Sequence, residues 1–89
     1  MLFKVKKLEV TGPQKLRFWF TDGSSGERDF ADELASGGPM AKPLLDPAFF
    51  SRVFLDYGAP TWPNGYDMAP WALHDDMLRD GQLVQFADV

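Results

Sequence analysis

The stretch from Thr61 to Pro70 constrains the fold of this chain more than any other segment, because it joins a large aromatic ring, a rigid proline and a turn dipeptide. Pro63 fixes its own φ angle and has no amide hydrogen, and Asn64-Gly65 favours the positive φ angles of tight turns. We therefore expect a sharp reversal here, with Trp62 anchoring the turn in the core. After the turn, Asp67 or the ring of Pro70 is expected to start a helix.

The same segment and one earlier strand supply the candidate contacts with a protein partner. If the turn leaves its polar residues in solvent beside Trp62, it forms a surface that a partner can bind. Trp19 lies opposite the apolar face of a predicted strand, where it is either exposed or covered by a helix. Tryptophan and tyrosine are enriched among the residues that dominate binding energy. The candidate partner-binding residues are Trp19, Trp62, Asn64, Tyr66 and Asp67.

The first thirty residues predict a three-stranded antiparallel meander. Residues 15–20 alternate between apolar and polar side chains, as a half-buried strand does. Residues 22–26 favour a hairpin turn into a third strand. In the first strand, residues 2–10, the apolar phase shifts between Val5 and Leu8, which predicts a bulge.

The rest of the chain predicts short helices and a second pair of strands. Asp46-Pro47 combines a helix cap with a proline suited to the first helical position, and this helix is expected to end by Arg52. A final helix is expected over residues 70–80, with Gly81 as its C-terminal glycine. The remaining expected elements are a short helix over residues 29–35, a strand over residues 53–55, a turn over residues 57–60 and a returning strand at residues 61–62.

The predicted fold is therefore α+β: a small antiparallel sheet, made of the meander and later hairpin strands, with two or three short helices packed on it. We expect one domain over residues 1–80, followed by a tail over residues 81–89 that is an edge strand or partly disordered.

Composition limits the function classes. The chain has 89 residues, 45% of them hydrophobic and none of them cysteine, so we expect a folded core without disulfides or thiolate metal sites. A net charge of −4 disfavours general nucleic-acid binding, although five cations fall in the first strands: Lys4, Lys6, Lys7, Lys15 and Arg17. A regulator that binds nucleic acid through these strands is the alternative to a protein-binding role. No signal peptide or membrane-length apolar run is visible, so we expect a cytoplasmic protein.

The chemistry-bearing residues do not form a recognisable catalytic set. His74 is followed by Asp75 and Asp76 on a predicted helix, but the residue four positions after it is Leu78, which cannot bind a metal. We expect His74 at the surface or partly packed, and no metal, cofactor or catalytic residues. A small enzyme that uses Asp67 and His74 is the third alternative. In the final helix, Leu73 with Met77 and Trp71 with Leu78 predict a broad apolar face.

The motif Trp62-Pro63-Asn64-Gly65, with Asp67 and Pro70 after it, resembles the short bacterial family described as domain of unknown function 2442. Upstream elements that fit the family pattern are Phe20 with Asp22-Gly23, Asp29-Phe30, Gly38-Pro39, and residues 43–47 with Phe49 and Phe50. The resemblance implies a compact α+β fold with no assigned activity. It also implies a two-protein, toxin–antitoxin-like arrangement, in which the partner is the product of a neighbouring gene. Ala69 departs from the pattern, because relatives often have an acidic cap there.

These observations predict a non-enzymatic protein-interaction module with a protein partner and no cofactor. A homodimer is the other assembly that the sequence suggests, because a small chain with many aromatic residues and a free strand edge can bury apolar surface by self-association.

Overall fold

A computed structural model describes residues 4–85. Its strands are β1 (Val5–Gly12), β2 (Lys15–Phe20), β3 (Ser24–Asp29), β4 (Phe54–Asp56), β5 (Ala59–Thr61) and β6 (Leu83–Gln85). Its helices are α1 (Ala31–Ala35), α2 (Pro47–Phe50) and α3 (Pro70–Arg79), with a 3₁₀ helix over Lys42–Leu45. This arrangement confirms the predicted α+β class. None of the described helices is long and apolar enough to cross a membrane.

The main sheet is antiparallel with the strand order β1-β2-β3-β6, so the predicted meander is confirmed. The register of β1 shifts between Val5 and Lys7, within the stretch where the sequence predicted a bulge. Strand β6 adds to the far edge by pairing Val84 with Ser25. Strand β6 belongs to the predicted tail. Residues 86–89 of that tail and residues 1–3 of the first predicted strand lie outside the described residues. Strands β4 and β5 form a separate hairpin.

The core lies on one face of the main sheet. Leu16, Phe18 and Phe20 alternate along β2 and are fully buried. The other buried apolar residues of the core are Val5, Phe30, Leu34, Ala41, Leu44, Phe50, Trp62, Leu73 and Met77. Each fully buried large side chain contributes roughly 1.5–3 kcal/mol, so this cluster is the main source of stability. The opposite face of β2 carries Lys15, Arg17 and Trp19, which are partly buried.

The helix ends follow local chemistry. Asp46 caps α2 by accepting a hydrogen bond of 3.0 Å from the amide of Ala48, as predicted. Pro70 occupies the first turn of α3, and no side chain caps that helix, so Asp67 does not serve as its cap. At the other end of α3, Gly81 has a φ of +69° and ends the helix in the way the sequence predicts.

The end of α3 rests against β3 at Gly26. A Cβ atom at Gly26 would lie 2.0 Å from the carbonyl oxygen of Gln82, so only glycine allows this approach. The amide of Gln82 also donates to the carbonyl of Met77 at 2.8 Å. These contacts fix where the helix stops and where β6 begins.

Candidate interaction surface

Trp62 is buried in the core and holds the turn that follows it. Its indole Nε1 donates a hydrogen bond of 2.9 Å to the carbonyl oxygen of Phe50. The ring centroid lies 5.6 Å from that of Phe50 and 5.8 Å from that of Tyr66. The amide of Gly65 donates to the carbonyl of Trp62 at 2.9 Å, which closes the turn. With 1% of its surface exposed, Trp62 offers a partner no contact area in the folded protein.

The polar residues of the turn divide between structure and surface. Asn64 donates to the carbonyl of Met40 at 3.0 Å and accepts from the amide of Tyr66 at 3.1 Å, so both ends of its amide are used. Tyr66 is half-buried, and its burial, followed by the charges of Glu33 and Asp67, raises the pKa of its hydroxyl. Asp67 is exposed and pairs with the backbone of Thr61.

Trp19 lies on the outer face of the sheet, between two cations. The Nζ atom of Lys7 is 4.6 Å from the ring centroid, and the guanidinium carbon of Arg17 is 6.0 Å away. These contacts are cation–π interactions, which partly cover the ring. The strand register places Arg17 between Glu9 and Glu27, so acidic residues alternate with the cations of this face. The first strands therefore do not present a uniformly basic patch.

His74 is buried, with 7% of its surface exposed, rather than at the surface or only partly packed. Its Nε2 atom lies 2.9 Å from Oδ2 of Asp22, and its ring meets that of Phe20 edge-on at 5.0 Å. Asp22 also accepts from the hydroxyl of Ser24 at 2.6 Å. Burial raises the pKa of Asp22, but the hydrogen bonds from Ser24 and His74 outweigh it and leave that pKa below its ordinary value.

This cluster does not have the order of a hydrolase triad. In such a triad the histidine lies between the hydroxyl and the carboxylate, so that it can take the proton from the nucleophile. Here the carboxylate of Asp22 lies between Ser24 and His74. The carboxylate beside His74 belongs to Asp22, whereas Asp67 is exposed and its backbone forms a β-bridge with Thr61. The cluster therefore fastens the turn between β2 and β3 to α3.

Arg28 makes a second link between distant elements. Its guanidinium donates to Asp80 at 2.8 Å, to Gln82 at 2.7 Å and to Glu33 at 3.2 Å. Burial lowers the pKa of Arg28, but the bond to Asp80 and the charge of Glu33 outweigh it and raise that pKa overall. A shallow acidic groove of about 480 Å³ surrounds these groups. Across residues 4–85, no group of three potential ligands could hold a metal ion.

The largest departure from the sequence prediction is the outward side of α3. Leu73 and Met77 are buried as expected, but Trp71 is 56% exposed and Leu78 is 61% exposed. The predicted broad apolar face is therefore divided: one row packs in the core, and the row of Trp71 and Leu78 faces solvent. Asp75 lies on the same side of the helix and is also exposed. We call Trp71, Asp75 and Leu78 the α3 stripe.

Sequence reasoning missed the α3 stripe, although its signal was present. In a helix, consecutive residues are about 100° apart, so Trp71 and Leu78 lie roughly 100–140° from the centre of the Leu73 and Met77 row. A surface helix buries one apolar stripe against the core, and here that stripe is the row of Leu73 and Met77. No family model, curated protein or solved structure matches the chain. The candidate site is therefore defined by this geometry.

Proposed function

We propose that this protein is a non-enzymatic protein-interaction domain that binds its partner through the α3 stripe. The observation that supports this proposal is the exposure of Trp71 and Leu78 on one side of a helix. Burying the exposed part of each side chain would contribute roughly 1–2 kcal/mol. Tryptophan is also among the residues that most often dominate the energy of an interface.

The five candidate partner-binding residues predicted from the sequence have different roles in this proposal. Trp62 and Asn64 support the turn before α3, and Tyr66 and Asp67 lie at the edge of that turn. Trp19 is a candidate for a second contact, on the opposite face of the sheet. A single partner is not expected to reach Trp19 and the α3 stripe together.

The proposal about the partner rests on the motif Trp62-Pro63-Asn64-Gly65, which resembles that of domain of unknown function 2442, and on no matched family model. We propose that the protein is one component of a bacterial, cytoplasmic two-protein system, and that its partner is the product of a neighbouring gene. A homodimer through the same stripe is the competing arrangement.

Co-expression with the neighbouring gene product tests the proposal. We expect a complex that survives size-exclusion chromatography at micromolar concentration. Leu78→Lys places a charge in the stripe and is expected to weaken the complex at least about tenfold. Val10→Lys is the matched control, because Val10 is a partly exposed apolar residue of β1, and it is expected to change binding less than about twofold.

Two results would contradict the proposal. One is the absence of a complex at micromolar concentration, and the other is equal weakening by Leu78→Lys and Val10→Lys. Salt-sensitive retention on DNA, lost when Lys4, Lys6 and Lys15 are replaced together, would favour the nucleic-acid regulator instead.

A further inference from the structure

The α3 stripe has a carboxylate on each side of its apolar pair. Asp75 follows Trp71 by four residues and precedes Leu78 by three, so it lies beside the pair on one flank. His74 follows Trp71 by three residues and precedes Leu78 by four, so it lies on the other flank. Asp22 is held at that flank by its contact of 2.9 Å with His74.

The two carboxylates contribute negative charge to this surface in different ways. Within residues 4–85, Asp75 makes no ion pair. The one lysine or arginine of α3 is Arg79, and its guanidinium contacts Asp76 at 3.0 Å and Asp80 at 3.6 Å. The carboxylate of Asp22 is partly exposed, but its Oδ1 accepts hydrogen bonds from Ser24 and its Oδ2 contacts His74, so it adds negative charge to this flank and not a free acceptor.

We infer that the α3 stripe binds a basic amphipathic helix of the partner. Its apolar side chains meet Trp71 and Leu78, its lysines or arginines pair with Asp75, and the negative charge of Asp22 attracts them on the other flank. This inference rests on the proposed function, since it names the chemistry of the partner at the same surface. Trp71 and Leu78 are about 10 Å apart along the helix axis, which matches the spacing of apolar residues over two turns of a second helix. The carboxylates then favour partner helices whose residues beside the apolar face are positively charged.

Peptide binding to the full chain tests the inference. The probe is a fluorescently labelled peptide of about 18 residues with leucine on one helical face and lysine on the other. Two matched peptides carry glutamine or glutamate in place of every lysine. Anisotropy titrations at about 50 mM and about 300 mM salt measure affinity and its dependence on charge screening.

We expect the lysine peptide to bind at least about tenfold more tightly than the glutamine peptide at low salt, and the glutamate peptide to bind least. Trp71→Ala and Leu78→Lys are expected to weaken the lysine peptide at least about tenfold. Circular dichroism checks that each variant folds. If Trp71→Ala does not fold, Leu78→Lys still tests the surface. Asp75→Lys is expected to weaken the lysine peptide by a similar factor. Glu9→Lys changes the net charge equally on the opposite face of the sheet, and is expected to change binding less than about twofold.

Each other outcome overturns the inference in a distinct way. If the lysine and glutamine peptides bind equally and Trp71→Ala abolishes the binding of both, the α3 stripe is a binding surface but its partner is not basic. Equal weakening by Asp75→Lys and Glu9→Lys would show attraction to net charge alone. Self-association that Trp71→Ala abolishes would make a second copy of the chain the occupant. Failure of all peptides, alongside a neighbouring-gene complex that Leu78→Lys disrupts, would refute this inference and leave the proposed function standing.

Discussion

Replacing Gly26 with alanine tests how closely the end of α3 approaches the sheet. The added Cβ atom would lie 2.0 Å from the carbonyl oxygen of Gln82, 3.0 Å from its carbonyl carbon and 3.1 Å from Cε of Met77. The nearest atom belongs to the backbone, so a rotamer change cannot relieve the contact. To restore an ordinary separation of 3.4 Å, the backbone at Gln82 must retreat by about 1.4 Å.

This retreat has a calculable cost. Inserting a methyl group into a packed site costs roughly 1–3 kcal/mol. Moving Gln82 also strains its bond to the carbonyl of Met77 at 2.8 Å and its bond from Arg28 at 2.7 Å, each worth roughly 0.5–1.5 kcal/mol. We therefore expect Gly26→Ala to lower the free energy of unfolding by about 3 kcal/mol. Urea unfolding, followed by tryptophan fluorescence, to which the buried Trp62 contributes, measures this value.

Gly81→Ala is the matched control. Gly81 has a φ of +69° but no heavy atom within 4 Å of an added Cβ, so its replacement incurs backbone strain alone. That strain is about 1 kcal/mol. Gly26 is not among the positive-φ glycines, and its replacement incurs the steric cost alone. If Gly26→Ala costs no more than Gly81→Ala, the end of α3 does not lie against β3 and the reasoning is refuted.

Three further substitutions probe the turns and the core. The hydrogen bonds to Asp22 hold its pKa below 3.8, so its ionised carboxylate stabilises the fold above pH 3.8. The stability advantage of wild type over Asp22→Asn should therefore shrink as the pH falls below 3.8. An advantage that grows in acid would contradict this prediction. Tyr57 has a φ of +52° in the turn between β4 and β5 and is 91% exposed, so Tyr57→Asn should raise the free energy of unfolding by about 0.5–1 kcal/mol in urea; destabilisation would show that the ring has a structural contact. Trp62→Phe removes the bond to the Phe50 carbonyl and leaves unfilled space, so it should lower the free energy of unfolding by about 2 kcal/mol, and a loss below about 0.5 kcal/mol would contradict the buried placement.

Local signals predicted much of this fold. Asp46 and Pro47 are adjacent in sequence, so the cap and the first turn of α2 need no distant contact. The alternation along β2 placed Phe18 and Phe20 on one face, because side chains in a strand point to opposite sides. Gly81 follows the end of α3 and adopts a positive φ angle, as predicted for a C-terminal glycine. Each of these predictions depends on residues within a few positions of one another.

The candidate site depended on contacts that no local pattern reveals. Asp22 and His74 are 52 residues apart, and they meet because the turn after β2 lies under α3. Arg28 and Gln82 are 54 residues apart, and they meet where α3 gives way to β6. Nor could periodicity alone decide which apolar row of α3 is buried, because that depends on how the helix is rotated on the sheet.

Trp62 and Trp71 show why burial decides the functional interpretation. Trp62 lies in the motif that first suggested a binding surface, yet its indole is buried and hydrogen-bonded to Phe50. A substitution there acts on the folded fraction, so any loss of partner binding should disappear when binding is expressed per folded molecule. Trp71 has more than half of its surface exposed, so its replacement should change stability little and binding per folded molecule strongly. Measuring both quantities on both variants separates a residue that maintains the fold from one that contacts the partner.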